Sequence, residues 1–319
     1  MPPQRDDSDL ARAARLYFID GLSQKEVAQE MQTTRSNVSR MLTAARARGV
    51  VEIRIHDPSG RDDALEHQLV EQFGLSEALV ARFEPGNPSD RRAGELGAQW
   101  LVDRIHDGQR VSLSWGTSLQ KLVWAVTADR SVDVEILQLV GGLSPMSTAI
   151  TGQEMLRELA VRLGARYRYL HSPAVLDRAE AVELLGAEAS IAEALAAARR
   201  SDIALVGIGS FGHGSSEIVV EQMRLSPEER AELLAAAPVG DICARFYDAD
   251  GRSFLGAAND RVLGITLDEL REIPTVVGVA TGREKAPGLL GALRGGLLDV
   301  ICCDVPAARG VLEMARRYS

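Results

Sequence analysis

Five short runs restrict the fold of this chain more than any other feature: Arg110–Ser114, Val134–Val140, Asp202–Ile208, Pro274–Val279 and Leu297–Cys303. Each is mostly apolar and of strand length. Stretches with helical periodicity lie between them, near Ser118–Ala128, Gly152–Leu163, Glu188–Arg199 and Ala286–Arg294. Near-continuous apolar strands joined through helices predict a doubly wound, mainly parallel α/β sheet covered on both faces. In such a sheet ligands bind beyond the carboxyl ends of the strands. The 319 residues leave room for a second, smaller domain, and with only 4% aromatic residues the core must be built from aliphatic side chains.

That second domain lies at the start of the chain. Leu10, Ala14, Tyr17 and Phe18 recur at helical spacing, with Gly21 where the helix would stop. Ser23-Gln-Lys-Glu26 has the form of a capping box: the serine hydroxyl accepts from an amide three residues on, and Glu26 reaches back. A second helix then runs to about Met31 and buries Val27, Ala28 and Met31. Thr34 caps a third, Arg35 to Arg48, ended by Gly49, with Val38, Met41, Leu42 and Ala45 inward. Its other face carries Arg35, Ser36, Asn37, Ser39 and Arg40, side chains that donate to or accept from base edges and phosphates. Two short helices across a tight turn are the geometry that sets a helix in the major groove of double-stranded DNA. Val50–Ile55 alternates at period two and suits a wing, with Arg54 near the DNA backbone.

Charge supports the division. The whole chain carries −9, which by itself argues against nucleic acid. Leu10–Ile55 nevertheless holds eight basic and four acidic residues, a net of +4, leaving −13 on the remainder. A basic module on an acidic body confines DNA contact to the module.

The runs Leu22-Ser-Gln-Lys-Glu-Val-Ala-Gln-Glu-Met31, Arg35-Ser-Asn-Val-Ser-Arg-Met-Leu42 and Gly49-Val-Val-Glu-Ile-Arg-Ile55 resemble the DNA-binding domain of SorC-type sugar-responsive transcriptional regulators. Gln32 stands where that family usually has glycine in the turn. The body resembles the family's effector domain, itself similar to ribose-5-phosphate isomerase and glucosamine-6-phosphate deaminase folds. The likeness runs through Trp115-Gly-Thr-Ser, Gln138-Leu-Val-Gly-Gly, Asp202-Ile-Ala-Leu-Val-Gly-Ile-Gly, Val239-Gly-Asp-Ile and Gly282-Arg-Glu-Lys285. It implies an N-terminal winged helix-turn-helix domain (residues 1–57), a linking helix and connection (58–90) and an effector domain (91–319).

The resemblance also implies site residues. Thr117 and Ser118 at a helix start and Lys285 would hold a phosphate, with Gly116 and Gly282 beside them in the effector site. Gly141 and Gly142 would line the site with backbone, and Asp241 would accept from sugar hydroxyls. Val140 stands where some members carry a basic residue, which argues against covalent capture and leaves a free sugar or a sugar alcohol open beside a sugar phosphate. The family further implies an even-numbered homo-oligomer, a tetramer. Leu65, Leu69 and Phe73, recurring every four residues, could pack on the body or pair protomers.

Other classes fit less well. Gly207-Ile-Gly-Ser-Phe-Gly212 matches the spacing of a dinucleotide loop, but the next acids, Glu217 and Glu221, come too early for a ribose contact, so a loop at the pocket rim is expected and no cofactor. Cys243, Cys302 and Cys303 cannot make a disulfide framework and are expected as buried thiols, and no Cys or His pair has zinc spacing, so no metal is expected. Neither a leader-like start nor a membrane-length apolar run is present, which favours the cytoplasm over a membrane. The rival reading is a phosphosugar isomerase or deaminase with an accessory domain, for which Asp241, Asp248, His171 and His213 would be the candidates. No catalytic residue is expected on the regulator reading.

Overall fold

A computed structural model describes residues 7–51, 60–83, 86, 88–128, 130–143 and 151–317. The chain forms two compact units, Met1–Pro58 and Ser59–Ser319.

The first unit contains α1 (Asp7–Phe18), α2 (Gln24–Glu30) and α3 (Arg35–Ala47). Both expected caps are present. Ser23 N donates to Glu26 Oε2 at 2.8 Å while Glu26 N donates to Ser23 Oγ at 3.4 Å, and Asn37 N donates to Thr34 Oγ1 at 3.2 Å. Leu10, Ala13, Ala14, Val27, Ala28, Val38, Met41, Leu42 and Ala45 make the core. Gln32 adopts φ +50° in the turn between α2 and α3, a left-handed conformation that costs a side-chain-bearing residue energy glycine would not lose. Residues 52–55 of the expected wing, Arg54 among them, lie outside the described residues.

The second unit begins with α4 (Asp63–Phe73), β1 (Glu77–Ala81), α5 (Ser89–Arg104), β2 (Arg110–Leu113), α6 (Thr117–Ala125), β3 (Glu135–Gln138), α7 (Gly152–Leu163) and β4 (Arg166–Arg168). It continues through α8 (Ala179–Gly186), α9 (Ala189–Ala198), β5 (Ile203–Gly207), β6 (Gly209–Ser210), α10 (Ser215–Met223), α11 (Pro227–Ala235), β7 (Gly240–Ile242) and β8 (Arg245–Tyr247). It ends with α12 (Ala257–Asp260), α13 (Leu267–Arg271), β9 (Thr275–Ala280), α14 (Ala286–Arg294), β10 (Val300–Asp304) and α15 (Val305–Arg317).

Seven strands form one sheet in the order β1-β10-β9-β5-β2-β3-β4, every neighbouring pair parallel. Period-two alternation sends side chains into two cores. On β5, Ile203 and Leu205 join α5, α6 and α7, whereas Ala204 and Val206 join α4, α14 and α15. Residues 63–81, read from sequence as a linking segment, are part of this body. β1 is an edge strand paired to β10, and Leu65 and Leu69 are buried in the core against which Phe73 packs. The Leu65, Leu69 and Phe73 stripe therefore faces its own chain.

A small antiparallel sheet, β6-β7-β8, follows β5 and carries Asp241 opposite Gly209. Its hairpin turns on Cys243 and Ala244, both at positive φ (+55° and +62°). Next to that turn, the buried Arg245 guanidinium donates to four backbone carbonyls: Ile265, Asn259, Val262 and Gly264, at 2.7 to 3.2 Å. These bonds fasten residues 259–265 to the hairpin. Among the described residues no helix is long and apolar enough to cross a membrane.

Candidate functional site

On α3, Arg35, Ser36, Ser39 and Arg40 are exposed. Asn37 is half-buried, and its Nδ2 donates to Thr33 Oγ1 at 2.7 Å, so its amide is already engaged within the unit. The other four remain presented to solvent at the amino-terminal half of the helix, although Arg40 Nε also makes a long 3.5 Å contact with Ser36 O.

In the body, strand order locates the second site. From β2 the chain winds outward to β3 and β4, then returns to lay β5 on the other side of β2 and continues to β9 and β10. The winding thus reverses between β2 and β5, and the crevice beyond the carboxyl ends of two such strands is where open α/β sheets bind ligands. Gly207 N donates to Ser114 Oγ at 3.1 Å and holds the two strand ends together.

A cavity of about 540 Å³ opens there, lined by Trp115, Gly116, Thr117, Gln120, Leu143, Thr151, Gly152, Met155, His213, Gly214, Ser215, Ile218, Glu284 and Lys285. Two nine-residue helices begin at it. α6 starts after Gly116 and α10 after Gly214, and neither has a side-chain cap; the first α6 amides are left for an anion, whereas in α10 Ser216 N and Glu217 N already donate to His213 O and Gly214 O at 3.3 and 3.2 Å. Gly214 has φ +56° and ψ −126°, a region open in practice only to glycine. The run Gly207–Gly212 leads to this rim, and the helix starts beyond it at Ser215.

A smaller space of about 20 Å³ shares Trp115, Gly116, Thr117, Ser215 and Lys285 with the cavity and adds Ser118, Gly207, Gly209, Asp241 and Cys243. Ser118 Oγ and Thr281 Oγ1 lie 3.1 Å apart and join the α6 start to the end of β9. Asp241 is 4% exposed, and its Oδ1 and the neighbouring Ser216 Oγ are both buried without a hydrogen-bond partner. Burial pushes the Asp241 carboxyl above its usual range, against the lowering pull of Ser216, the Lys285 ammonium and the Ala244 amide. A Cβ on Gly209 would lie 1.9 Å from Asp241 Oδ1, so only glycine admits the carboxylate here. Burial likewise pushes the Cys243 thiol up to about 12, as expected of an inert thiol.

The expected residues thus divide. Gly116, Thr117 and Lys285 line both spaces, and Ser118 and Asp241 line the small one. Gly141 and Gly282 line neither. Gly141 is packed against the Ser172–Pro173 backbone, where a Cβ would lie 2.3 Å from Pro173 O, and its carbonyl accepts from Trp115 Nε1 at 3.1 Å. Gly282 N donates to Asp304 Oδ1 at 3.0 Å and so sets the turn that carries Lys285. Gly142 borders an adjoining open pocket with Gln153, His171 and Ser172, which shares Leu143 and Ile218 with the cavity. Sequence reasoning quoted Trp115 but gave it no role, and it missed Thr151, Met155, Ser215 and Ile218. Helical periodicity marks Met155 only as a buried residue and the Thr151-x-x-Glu154 capping box marks Thr151 only as a helix cap, while no local signal announces Ser215 or Ile218.

Fold and pocket together define a ligand-binding α/β body, preceded in the chain by a small helical unit. The "Putative sugar-binding domain" family model matches residues 57–313. The chain is 32% identical over 304 residues to the deoxyribonucleoside regulator of Bacillus subtilis, covering 94% of this chain and 96% of that protein. It is 29% identical to the sorbitol operon regulator of Klebsiella pneumoniae, covering 95% and 97%. The crystal structure of the full-length sorbitol operon regulator SorC from Klebsiella pneumoniae superposes with a TM-score of 0.73 at 28% identity, over 97% of this chain and all of that one. The chain belongs to the SorC family of transcriptional regulators with a sugar-binding domain. That membership sets aside the isomerase or deaminase reading.

Proposed function

We propose that this regulator binds operator DNA of carbohydrate-metabolism genes through residues 1–57 and is switched by a sugar, sugar phosphate or sugar alcohol held in residues 91–319. Arg35, Ser36, Ser39 and Arg40 contact the DNA, with Asn37 bracing the start of the recognition helix. Gly116, Thr117, Ser118 and Lys285 bind the effector's anionic or most polar end, and Asp241 accepts from a hydroxyl. Gly141, Gly142 and Gly282 shape the site through the chain segments they pack against. The protein acts in the cytoplasm as a homotetramer, an even-numbered assembly suited to paired half-sites. The names of its relatives, regulators of sorbitol and deoxyribonucleoside genes, support this reading.

The observation that carries the proposal is the convergence of two uncapped helix starts and the Lys285 side chain on one cavity at the strand reversal. Effector acts only through unequal affinity for DNA-competent and DNA-incompetent states. Calorimetric titration with pentose and hexose phosphates, the free sugars and the alditols, run beside gel shifts, tests it. Lys285→Ala is expected to weaken binding of the best phosphorylated ligand by about 1.5–3 kcal/mol, ten- to hundredfold. Operator affinity without ligand should be unchanged. Equal ligand affinity in variant and parent would place the effector elsewhere.

A further inference from the structure

The amino-terminal unit ends at Pro58, and just beyond it, at Gly60, the chain is clamped to β1 of the body. Arg82 N donates to Gly60 O at 2.9 Å, Asp62 N donates to Val80 O at 2.8 Å, and Arg61 bridges to Ala81. The Arg61 guanidinium also pairs with both carboxylate oxygens of the buried Glu66, whose Oε1 accepts from Val80 N at 2.8 Å as well. β1 is an edge strand, with β10 on one side and this clamp on the other. α5 grips it through Glu77, whose Oε2 accepts from Trp100 Nε1 at 2.9 Å and from Arg104 Nη2 at 2.6 Å.

The start of α5 is tied twice to elements that face the cavity. Ser89 Oγ donates to Asp304 Oδ2 at 3.2 Å, and Oδ1 of the same buried carboxylate accepts at 3.0 Å from Gly282 N, in the turn that carries Lys285. Asp90 pairs with Lys121 of α6, the helix whose first residue lines the cavity. α5 and α6 meet closely here, since a Cβ on Gly94 would lie 2.7 Å from Lys121 C. Ser89, Asp90 and Lys121 do not themselves line the cavity. The two walls on which an anionic group would rest therefore converge on two consecutive residues, and one helix and one edge strand lead from these to the chain entry. A buried carboxylate that loses a donor finds no water to replace it, so Ser89 and the Gly282 turn shift together more readily than apart. We propose that Ser89 and Asp90 couple effector binding to the hold of β1 on residues 60–62, the point where the body takes up the chain from the DNA-binding unit. The inference rests on the effector reading above and adds the route by which binding leaves the cavity.

Amide hydrogen exchange on the full-length protein reads this coupling at Asp62 and Arg82, whose N–H groups make the clamp. The probes are ribose 5-phosphate, glucose 6-phosphate, glucitol 6-phosphate, glucose, glucitol and inorganic phosphate, with affinities from calorimetry. The tightest binder should slow exchange at both amides about fivefold or more, the low end of allosteric coupling. Ser89→Ala combined with Lys121→Met leaves every cavity-lining residue in place. In that variant the same probe should bind within about threefold of the parent affinity while the slowing falls toward none. Ser89→Thr keeps the hydroxyl and should keep the response, and Ser89→Ala alone carries the test if the double variant does not fold. A merely structural role would speed exchange with and without probe and leave the slowing as it was. Slowing of parental size in the folded variants, or no response at these amides in the parent, overturns the inference while the effector reading stands. No measurable binding of any probe overturns both.

Discussion

Asp241→Asn isolates the consequence of burying a carboxylate beneath the effector site. Asp241 is 4% exposed, Oδ1 has no partner, and burial outweighs the nearby Ser216, Lys285 and Ala244 groups in raising its pKa above 3.8. An acid with a raised folded pKa contributes its stability in full below the unfolded value. That stability is lost as pH rises through the folded value, because the unfolded chain has already released a proton the folded chain still holds. Each unit of rise corresponds to about 1.4 kcal/mol. Asparagine keeps the shape and removes the charge, so at neutral pH the variant body should be about 1–3 kcal/mol more stable than the parent, the range for one uncompensated buried polar group. Its stability should also fall less as pH rises from about 4, the unfolded value, toward neutrality. The same change replaces a carboxyl oxygen that lines the smaller space with an amide NH2 and should weaken ligand binding by about 0.5–1.5 kcal/mol, the worth of a neutral hydrogen bond. Urea denaturation across that pH range, with calorimetric titration of the best sugar ligand, reads both. Identical pH slopes in parent and variant would show that Asp241 is not held protonated, and the burial argument would fail.

Arg35→Ala combined with Arg40→Ala should weaken operator binding by about 1–3 kcal/mol per base-edge contact, and a sequence-independent loss in gel shifts would reassign them to phosphates. Gln32→Gly should raise the thermal stability of the N-terminal unit by about 0.5–1 kcal/mol, because glycine relieves φ +50° at some entropic cost; a lower melting temperature would refute the strain. Arg245→Lys cannot reach four carbonyls and should destabilise the body by about 2 kcal/mol or more in denaturant melts, whereas a neutral result would make those bonds dispensable. Leu69→Ala should cost the body about 2–5 kcal/mol without changing the mass found by light scattering; a smaller assembly would instead tie α4 to subunit contact.

The central strands and the helical unit were legible because their signals are local. Val111 and Leu113, or Ile203 and Leu205, must be apolar wherever their strand sits in a two-faced sheet, and Ser23, Glu26 and Thr34 satisfy amides within three residues. β1 was not legible. Glu77–Ala81 becomes a strand by pairing with Val300–Asp304, more than two hundred residues away in the chain, and nothing within its five residues announces that partner. The hairpin at Cys243 and Ala244 was hidden for a different reason. Both residues take a left-handed conformation that their types disfavour, so the turn is imposed by burial and by Arg245 rather than encoded by Asn or Gly.

The site glycines show where a sequence reading of a binding pocket loses resolution. A glycine reports that something comes too close for a Cβ, but not what comes. At Gly141 the visitor is the Pro173 carbonyl, at Gly209 it is the Asp241 carboxylate, and at Gly152 it is the Trp115 ring. All three support the pocket by letting protein approach protein. At the α6 start, by contrast, Gly116 stands before uncapped amides at the cavity itself. Gly141, read as backbone for the ligand, is packed against protein instead, whereas Gly142 borders an open pocket. Gly141 fixes the indole through its carbonyl, which accepts from Trp115 Nε1, and the indole in turn lines the cavity.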